Sequence, residues 1–143
     1  MMAKSVVAFE LVVNSDEQIS ALYNLLKERT YSISHRKLPS FEEHEKFVCS
    51  NSYRYWYLIS FEGSLVGSFY VKFDNSIGLN VNYQTYDLVR SIIVFVRENL
   101  TPSTASASLV SPYFYLNVAS SNMELQNLLA QMDVRPLQVS FKI

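Results

Sequence analysis

Ser76-Ile-Gly-Leu-Asn-Val-Asn-Tyr-Gln-Thr-Tyr-Asp-Leu-Val-Arg-Ser-Ile-Ile-Val-Phe-Val-Arg-Glu-Asn-Leu100 decides how this chain is read. A strand over Ile77 to Tyr83 runs with almost no loop into a strongly apolar helix over Thr85 to Asn99. Where a strand ends on a helix N-terminus, free backbone N–H groups and the helix dipole converge on one spot, which suits an anion. Here that spot carries an acid, Asp87, and no glycine. An acid in the first helical turn also has a structural reading, because it offsets the partial positive charge there. That reading outweighs a catalytic one.

Upstream, the strands Tyr55 to Phe61 and Leu65 to Phe73 flank Glu62-Gly63-Ser64, a hairpin turn with glycine where a positive φ is needed. Gly67, inside the second of these, marks a bulge or a close backbone approach. Asp74-Asn75-Ser76 turns the chain into the next strand. Earlier still, Val6 to Val13 is β-branched and aromatic and reads as the first strand. Ser15-Asp-Glu-Gln18 is a capping box, and Ile19, Leu22, Leu25 and Leu26 follow at helical spacing to about Glu28. Residues 29 to 39 are polar and form a loop that ends at Pro39. Ser40-Phe-Glu-Glu43 is a second capping box, opening a short helix with Phe41, His44, Phe47 and Val48 facing inward.

Downstream, residues 101 to 112 are small and polar and make a connecting loop. Tyr113 to Val118 is a strand. Ser121-Asn-Met-Glu124 is a third capping box, with Leu125, Leu128, Leu129 and Met132 on one helical face. Leu137 to Ile143 alternates Leu, Val, Phe and Ile with Gln, Ser and Lys, and so predicts a strand with one wet face. The order β-α-α-β-β-β-α-β-α-β over a single domain, 1–143, predicts an α/β fold: a mixed central sheet flanked by helices on both faces. The fourth and fifth strands are expected to run parallel and to splay at their C-terminal ends, where open α/β sheets bind ligands.

Composition narrows the functions. A chain of 143 residues that is 49% hydrophobic can bury a sizeable core. The formal net charge is −1 and Lys and Arg are spread singly, which disfavours nucleic acid as a partner. The single cysteine, Cys49, excludes an internal disulfide framework and a Cys-rich metal site. His35, His44 and Cys49 are too few and too scattered for zinc, so no metal is expected. His44 reads as a core histidine on an apolar helix face, and His35 as a solvated loop residue beside Arg36 and Lys37. Tyr53, Tyr55, Trp56 and Tyr57 read as strand packing in preference to a stacking platform for a nucleobase. No run approaches the roughly 20 apolar residues of a membrane span. The N-terminal residues do not resemble a signal peptide. The expectation is a soluble, cytoplasmic protein with no membrane contact.

The order of elements resembles that of the GNAT superfamily, the acetyl-CoA-dependent N-acetyltransferases, over essentially the whole chain. Ser40-Phe-Glu-Glu-His-Glu-Lys-Phe47, Tyr57-Leu-Ile and Glu62-Gly-Ser-Leu-Val-Gly67 look like the front half of members that acetylate amino sugars. The family's defining motif follows the fourth strand: Gln or Arg, two residues, Gly, one residue, Gly or Ala. It falls here on Gln84-Thr85-Tyr86-Asp87-Leu88-Val89. The Gln matches, and both glycine positions are replaced, by Asp87 and Val89. The carboxylate repels a diphosphate, and the branched Cβ of Val89 obstructs a backbone that must come close. Both side chains are expected to fill the phosphate spot.

The family often carries an Asn after the fifth strand and a second Asn five residues on. Asn117 and Asn122 match these. The Tyr that protonates departing coenzyme A falls on Leu129, and the Gly-Phe pair that closes the helix falls on Asp133-Val134. The resemblance implies Asn80, Val81, Gln84, Asn117 and Asn122 as cofactor residues if acetyl-CoA binding is retained. The fourth strand offers Asn80 and Asn82 and the fifth Tyr113, Tyr115 and Asn117, with no Asp, Glu or His as a base. The expectation is a degenerate GNAT domain with an impaired acetyl-CoA site, no cofactor and no catalytic residue, which binds a protein partner or itself as a homodimer. The alternative is an active N-acetyltransferase, on an amino sugar or protein amine, with a non-standard cofactor loop. The helix over Thr85 to Asn99 is apolar nearly all round, which implies burial first and a dimer contact second.

Overall fold

The computed structural model describes residues 6–29, 37–104 and 110–143. His35 and Arg36, and part of each long loop expected from the sequence, lie outside them. The elements are β1 (Val7–Leu11), α1 (Asp16–Glu28), α2 (Phe41–Ser50), β2 (Tyr55–Phe61), β3 (Ser64–Val71), β4 (Ser76–Val81), α3 (Tyr86–Asn99), β5 (Tyr115–Asn117) and α4 (Met123–Gln131). The five strands form one sheet in the order β1-β2-β3-β4-β5. The first three pairings are antiparallel and β4–β5 is parallel, so the sheet is mixed as expected.

The β2–β3 hairpin forms because Glu62 (φ 50°) and Gly63 (φ 82°) both take positive φ. Two such residues make the turn whose twist matches the flanking strands. At Gly67 the register shifts between Ile59 and Ser60. A Cβ there would run into the carbonyl oxygen of Asn80 and Cγ1 of Val81 on β4. Gly67 therefore marks both a bulge and a close approach.

Alternation along the strands sorts their side chains onto two faces. Ile59, Phe69, Val71 and Ile77 meet Leu88, Ile92 and Val96 of α3. Phe69 is fully buried, among the rings of Phe9, Tyr57 and Phe95. On the opposite face Leu58 packs on Ile19, Leu22 and Leu25 of α1 and Val48 of α2. Helix α4 joins α3 through Val89, Leu125 and Leu129. Burial of α3 is thus the first use of its apolar surface.

Two expected caps start their helices. Ser15 Oγ accepts the Gln18 N–H at 3.2 Å, and Ser40 Oγ accepts the Glu43 N–H at 3.2 Å. The Ser40 hydroxyl also donates to Glu43 Oε1 at 3.2 Å. Gln18 does not reach back to its cap; its Oε1 accepts the Val13 N–H, and its Nε2 donates to Glu10 and the Leu11 carbonyl. This ties α1 to the end of β1. Ser15→Ala and Ser40→Ala are each expected to lower stability by about 0.5–2 kcal/mol in urea denaturation. Unchanged midpoints at both sites would contradict the assignment.

The third cap lies one residue beyond the expected Ser121. Asn122 Oδ1 accepts the Leu125 N–H at 3.2 Å and starts α4. Phe41 and Phe47 do not face inward as expected: they are 45% and 48% exposed, while His44 and Val48 are buried. A short helix lying on one sheet face buries only its central row, so Phe41 instead stacks on Tyr23 and Phe47 meets Tyr53 and Trp56 edge-on. The expected strand at Leu137 to Ile143 is not formed, and every residue of it is exposed. Alternation specifies which face of a strand is apolar, but a strand also needs a neighbour to complete its ladder.

His44 packs against Tyr23 and places Nε2 3.0 Å from the carbonyl oxygen of Ile19. A carbonyl only accepts, so Nε2 carries the proton. Burial pushes the imidazole below its ordinary value of 6.5, outweighing the opposing effect of the bond to Ile19. Above pH 6.5 the ring is neutral folded and unfolded, and its contribution to stability is complete. Below pH 6.5 the unfolded chain takes up the proton first, so stability falls until the folded ring titrates. Urea midpoints are expected to drop below pH 6.5 by more in the wild type than in His44→Gln. Parallel pH profiles would contradict this.

The crevice between β4 and β5 as candidate functional site

The parallel pairing covers only Ser76 to Gly78 against Tyr115 to Asn117. Leu79, Asn80 and Val81 continue past the end of β5, so the two strands part at their C-terminal ends. Asn75 sets this geometry from the other end. It is fully buried at φ 72°, its Nδ2 donates to the carbonyls of Ser111 and Ser103, and its Oδ1 accepts the Ser103 N–H. The Tyr115 N–H donates to the Asn75 carbonyl at 3.1 Å. The turn before β4 thereby holds both ends of the loop that delivers β5.

Beyond the crevice, residues 82–85 lead into α3 and residues 118–122 into α4. Gln84 and Asn122 join these two connections. Gln84 Nε2 donates to Asn122 Oδ1 at 3.0 Å, and Asn122 Nδ2 donates to Gln84 Oε1 at 2.8 Å. Asn122 is 7% exposed and Gln84 half-buried. Asn122 also caps α4, so its amide is committed three times over. The N-terminus of α3 is closed by its own side chain: Thr85 Oγ1 accepts the Leu88 N–H at 3.2 Å. The Val89 N–H is already in the helical ladder, bonded to the Thr85 carbonyl at 3.1 Å.

The residues singled out by the sequence fall in three places. Gln84 and Asn122 meet directly. Asn80 and Val81 lie on the free end of β4, opposite Ser68 and Gly67 of β3, and Asn117 is exposed at the end of β5. Asp87 is exposed in the first turn of α3. Val89 departs from expectation. It does not stand in the anion spot but is 1% exposed, packed with Leu125 and Leu129 between α3 and α4. Its backbone position on α3 turns the side chain toward α4, a direction the loop motif alone does not specify. Leu129 is a core residue of the same cluster, and Val134 packs on its edge.

The Gln84–Asn122 contact spans 38 residues of sequence and was not anticipated. Its only sequence signal is that each amide occupies the entry to a helix after a parallel strand.

The aromatic cluster packs strands, as expected. Tyr53 stacks on Tyr70 at 4.0 Å with rings 3° from parallel, and Trp56 meets Tyr53 edge-on. The Tyr70 ring lies across Gly78 of β4, in the space a Cβ would take. Burial first, then the neighbouring Tyr70, raises the Tyr53 hydroxyl far above the ordinary tyrosine range, so it stays protonated. A cleft of about 250 Å³ lined by Ser20, Tyr23, Asn24, Lys27 and Phe41 lies between α1 and α2, away from the crevice. Among the described residues no group of three or more His, Cys, Asp or Glu is placed to hold a metal ion. No helix among them is long and apolar enough to cross a membrane.

No family model matches the chain, and no curated protein does. Solved structures match over nearly its whole length. A ribosomal-protein-alanine N-acetyltransferase from Brucella melitensis is similar with a TM-score of 0.58 and 12% identity, covering 96% of this chain and 99% of that one. An aminoglycoside acetyltransferase from an uncultured soil metagenomic sample, in complex with sisomicin, is similar with a TM-score of 0.51 and 15% identity, over 96% and 94%. An N-acetyltransferase from Campylobacter jejuni reaches 0.53 and 17%, over 89% and 86%. These likenesses show the fold, which this chain shares with solved N-acetyltransferases. In particular, the chain has the GNAT fold that its order of elements resembles.

Proposed function

We propose that this protein is a GNAT-fold domain that does not bind acetyl-CoA and acts, without catalysis, by binding protein. The observation that carries the reading is the reciprocal Gln84–Asn122 amide pair across the connections to α3 and α4. At the head of α3 the Leu88 N–H is taken by Thr85 and the Val89 N–H by the helical ladder, which leaves a diphosphate the N–H groups of Tyr86 and Asp87 alone. A ligand that drew on the Leu88 N–H, or displaced the Gln84 and Asn122 amides without replacing their bonds, would leave buried hydrogen bonds unmade at roughly 1–3 kcal/mol each. Asp87 adds like charge, but it is exposed and screened, so its share is the smaller one. Leu129, where the resemblance puts a proton donor, has none to give and is committed to the core. These features support a site without acetyl-CoA.

One observation favours the second reading, an active N-acetyltransferase acting on an amino sugar or protein amine. Gln84, Asn117 and Asn122 all lie at the open end of the crevice, and a ligand's own amides would exchange for the Gln84–Asn122 bonds without loss. Calorimetry with acetyl-CoA separates the two. The expected result is no saturable heat up to a ligand concentration of about 1 mM, equivalent to a binding free energy weaker than about −4 kcal/mol. Submillimolar binding would favour the enzyme.

A further inference from the structure

Phe41 leaves an aromatic ring in solvent at the edge of a cleft. It borders the opening of about 250 Å³ whose other lining residues are Ser20, Tyr23, Asn24 and Lys27. Ser20, Asn24 and Lys27 recur at i, i+4 and i+7 along α1, so they share one face of that helix, with Tyr23 beside them. Pockets for drug-sized ligands enclose roughly 300–1,000 Å³, so this smaller space suits a molecule of one or two rings.

The walls are held from behind. Tyr23 is buried and donates its hydroxyl to the Pro39 carbonyl at 2.7 Å, which ties the entry of α2 to α1. Phe41 stacks on the Tyr23 ring at 5.4 Å, and the buried His44 meets the same ring edge-on at 5.2 Å. The Lys27 ammonium stands 4.9 Å from its centroid. Walls ordered before a ligand arrives lower the cost of binding it. Charge then decides the kind of ligand. Among the described residues that line the cleft, Lys27 alone is charged. The ion pair found among the described residues is Arg135–Asp133, so no acid of the chain neutralises Lys27. Glu42, Glu43 and Glu45 of α2 are exposed and do not line the cleft. A cation beside an exposed ring, with an amide and a hydroxyl one and two turns away, suits an anion carried on a flat apolar body.

We propose that the cleft between α1 and α2 binds a small aromatic carboxylate, its ring laid on Phe41 and its carboxylate on the Lys27 ammonium, with Asn24 and Ser20 as further hydrogen-bond partners. The ring covers the apolar surface that Phe41 otherwise leaves in water. The carboxylate gains a charge-assisted hydrogen bond from Lys27, and an amine in its place would meet a like charge. The cleft lies away from the crevice between β4 and β5, and its ligand does not depend on whether acetyl-CoA binds there.

Isotope-labelled wild-type protein titrated with indole-3-acetate to about 5 mM, read amide by amide, tests this at the affinity expected of so small a ligand. Saturable shifts are expected at residues 20–27 and 41–44, with a Kd of about 1 mM or tighter. Tryptamine carries the same ring on a cation, and acetate carries the anion without the ring; neither is expected to saturate over that range. Lys27→Gln and Phe41→Ala, both at exposed positions and checked for folding by circular dichroism, are each expected to weaken binding about fivefold or more. Lys27→Arg is expected to retain binding, and Lys46→Gln, at an exposed cation outside the cleft, to leave it unchanged. A wild type without saturable shifts, equal binding of tryptamine, or an affinity untouched by Lys27→Gln would overturn the proposal. So would shifts confined to residues 84–89 and 122–125, which would put the ligand in the crevice.

Discussion

Asn122→Ala is expected to destabilise the fold by about 2–4 kcal/mol, and Ser121→Ala by less than about 0.5 kcal/mol. The sequence pattern ranks them the other way, because Ser121 heads the capping box. In the structure Asn122 has two tasks. It accepts the Leu125 N–H as the cap of α4, which is worth about 0.5–2 kcal/mol. It also completes both hydrogen bonds of Gln84, whose half-buried amide would be left without them at roughly 1–3 kcal/mol. Ser121 is exposed, and substitution there touches neither. Urea denaturation of the two variants reads the difference. A cycle with Gln84→Ala should show a coupling near 1 kcal/mol or more, since the residues are in direct contact. Equal losses at residues 121 and 122, or additive effects at 84 and 122, would mean that the amide pair does not hold the two connections together.

Val89→Gly is expected to cost about 3 kcal/mol and Asp87→Gly about 1 kcal/mol, although both place glycine in the same loop. Val89 is 1% exposed between α3 and α4, and removing its side chain opens a cavity against Leu125 and Leu129 as well as adding the helix penalty of glycine. Asp87 is exposed, and its loss costs the propensity difference and its interaction with the helix dipole. Against a total stability of about 5–15 kcal/mol, the first loss is large. Thermal and urea melts of the single variants are the check. A Val89→Gly variant as stable as Asp87→Gly would mean that the α3–α4 contact is dispensable. The contrast bears on function. If glycine cannot be introduced at residue 89 without opening the core, Val89 is held there by the packing of the domain.

Local chemistry was legible in the sequence wherever neighbours in the chain decide the outcome. The turn at Glu62-Gly63, the bulge at Gly67 and the caps at Ser15 and Ser40 depend on residues within a few positions, and each formed where expected. The parallel β4–β5 pair followed from the strand–helix–strand order. What depended on distant partners was not legible. Ser121 and Asn122 are both good caps, and the choice between them rests on Gln84, 38 residues away. The direction of Val89 depends on where α4 lies. The exposure of Phe41 and Phe47 depends on how α2 is rolled on the sheet. Leu137 to Ile143 has the alternation of a strand, but no local rule names the strand it pairs with.

The central claim is that the crevice at the heads of α3 and α4 is satisfied by the chain's own side chains and holds no acetyl-CoA. The most direct measurement is a titration of isotope-labelled wild-type protein with acetyl-CoA to about 1 mM, followed amide by amide by nuclear magnetic resonance. It reads affinity and location together, including the side-chain amides of Gln84 and Asn122. The account predicts that the signals of residues 84–89 and 122–125 stay in place, with the Gln84 and Asn122 side-chain amides protected throughout. Saturable shifts confined to those residues, with a Kd below about 1 mM, would contradict it.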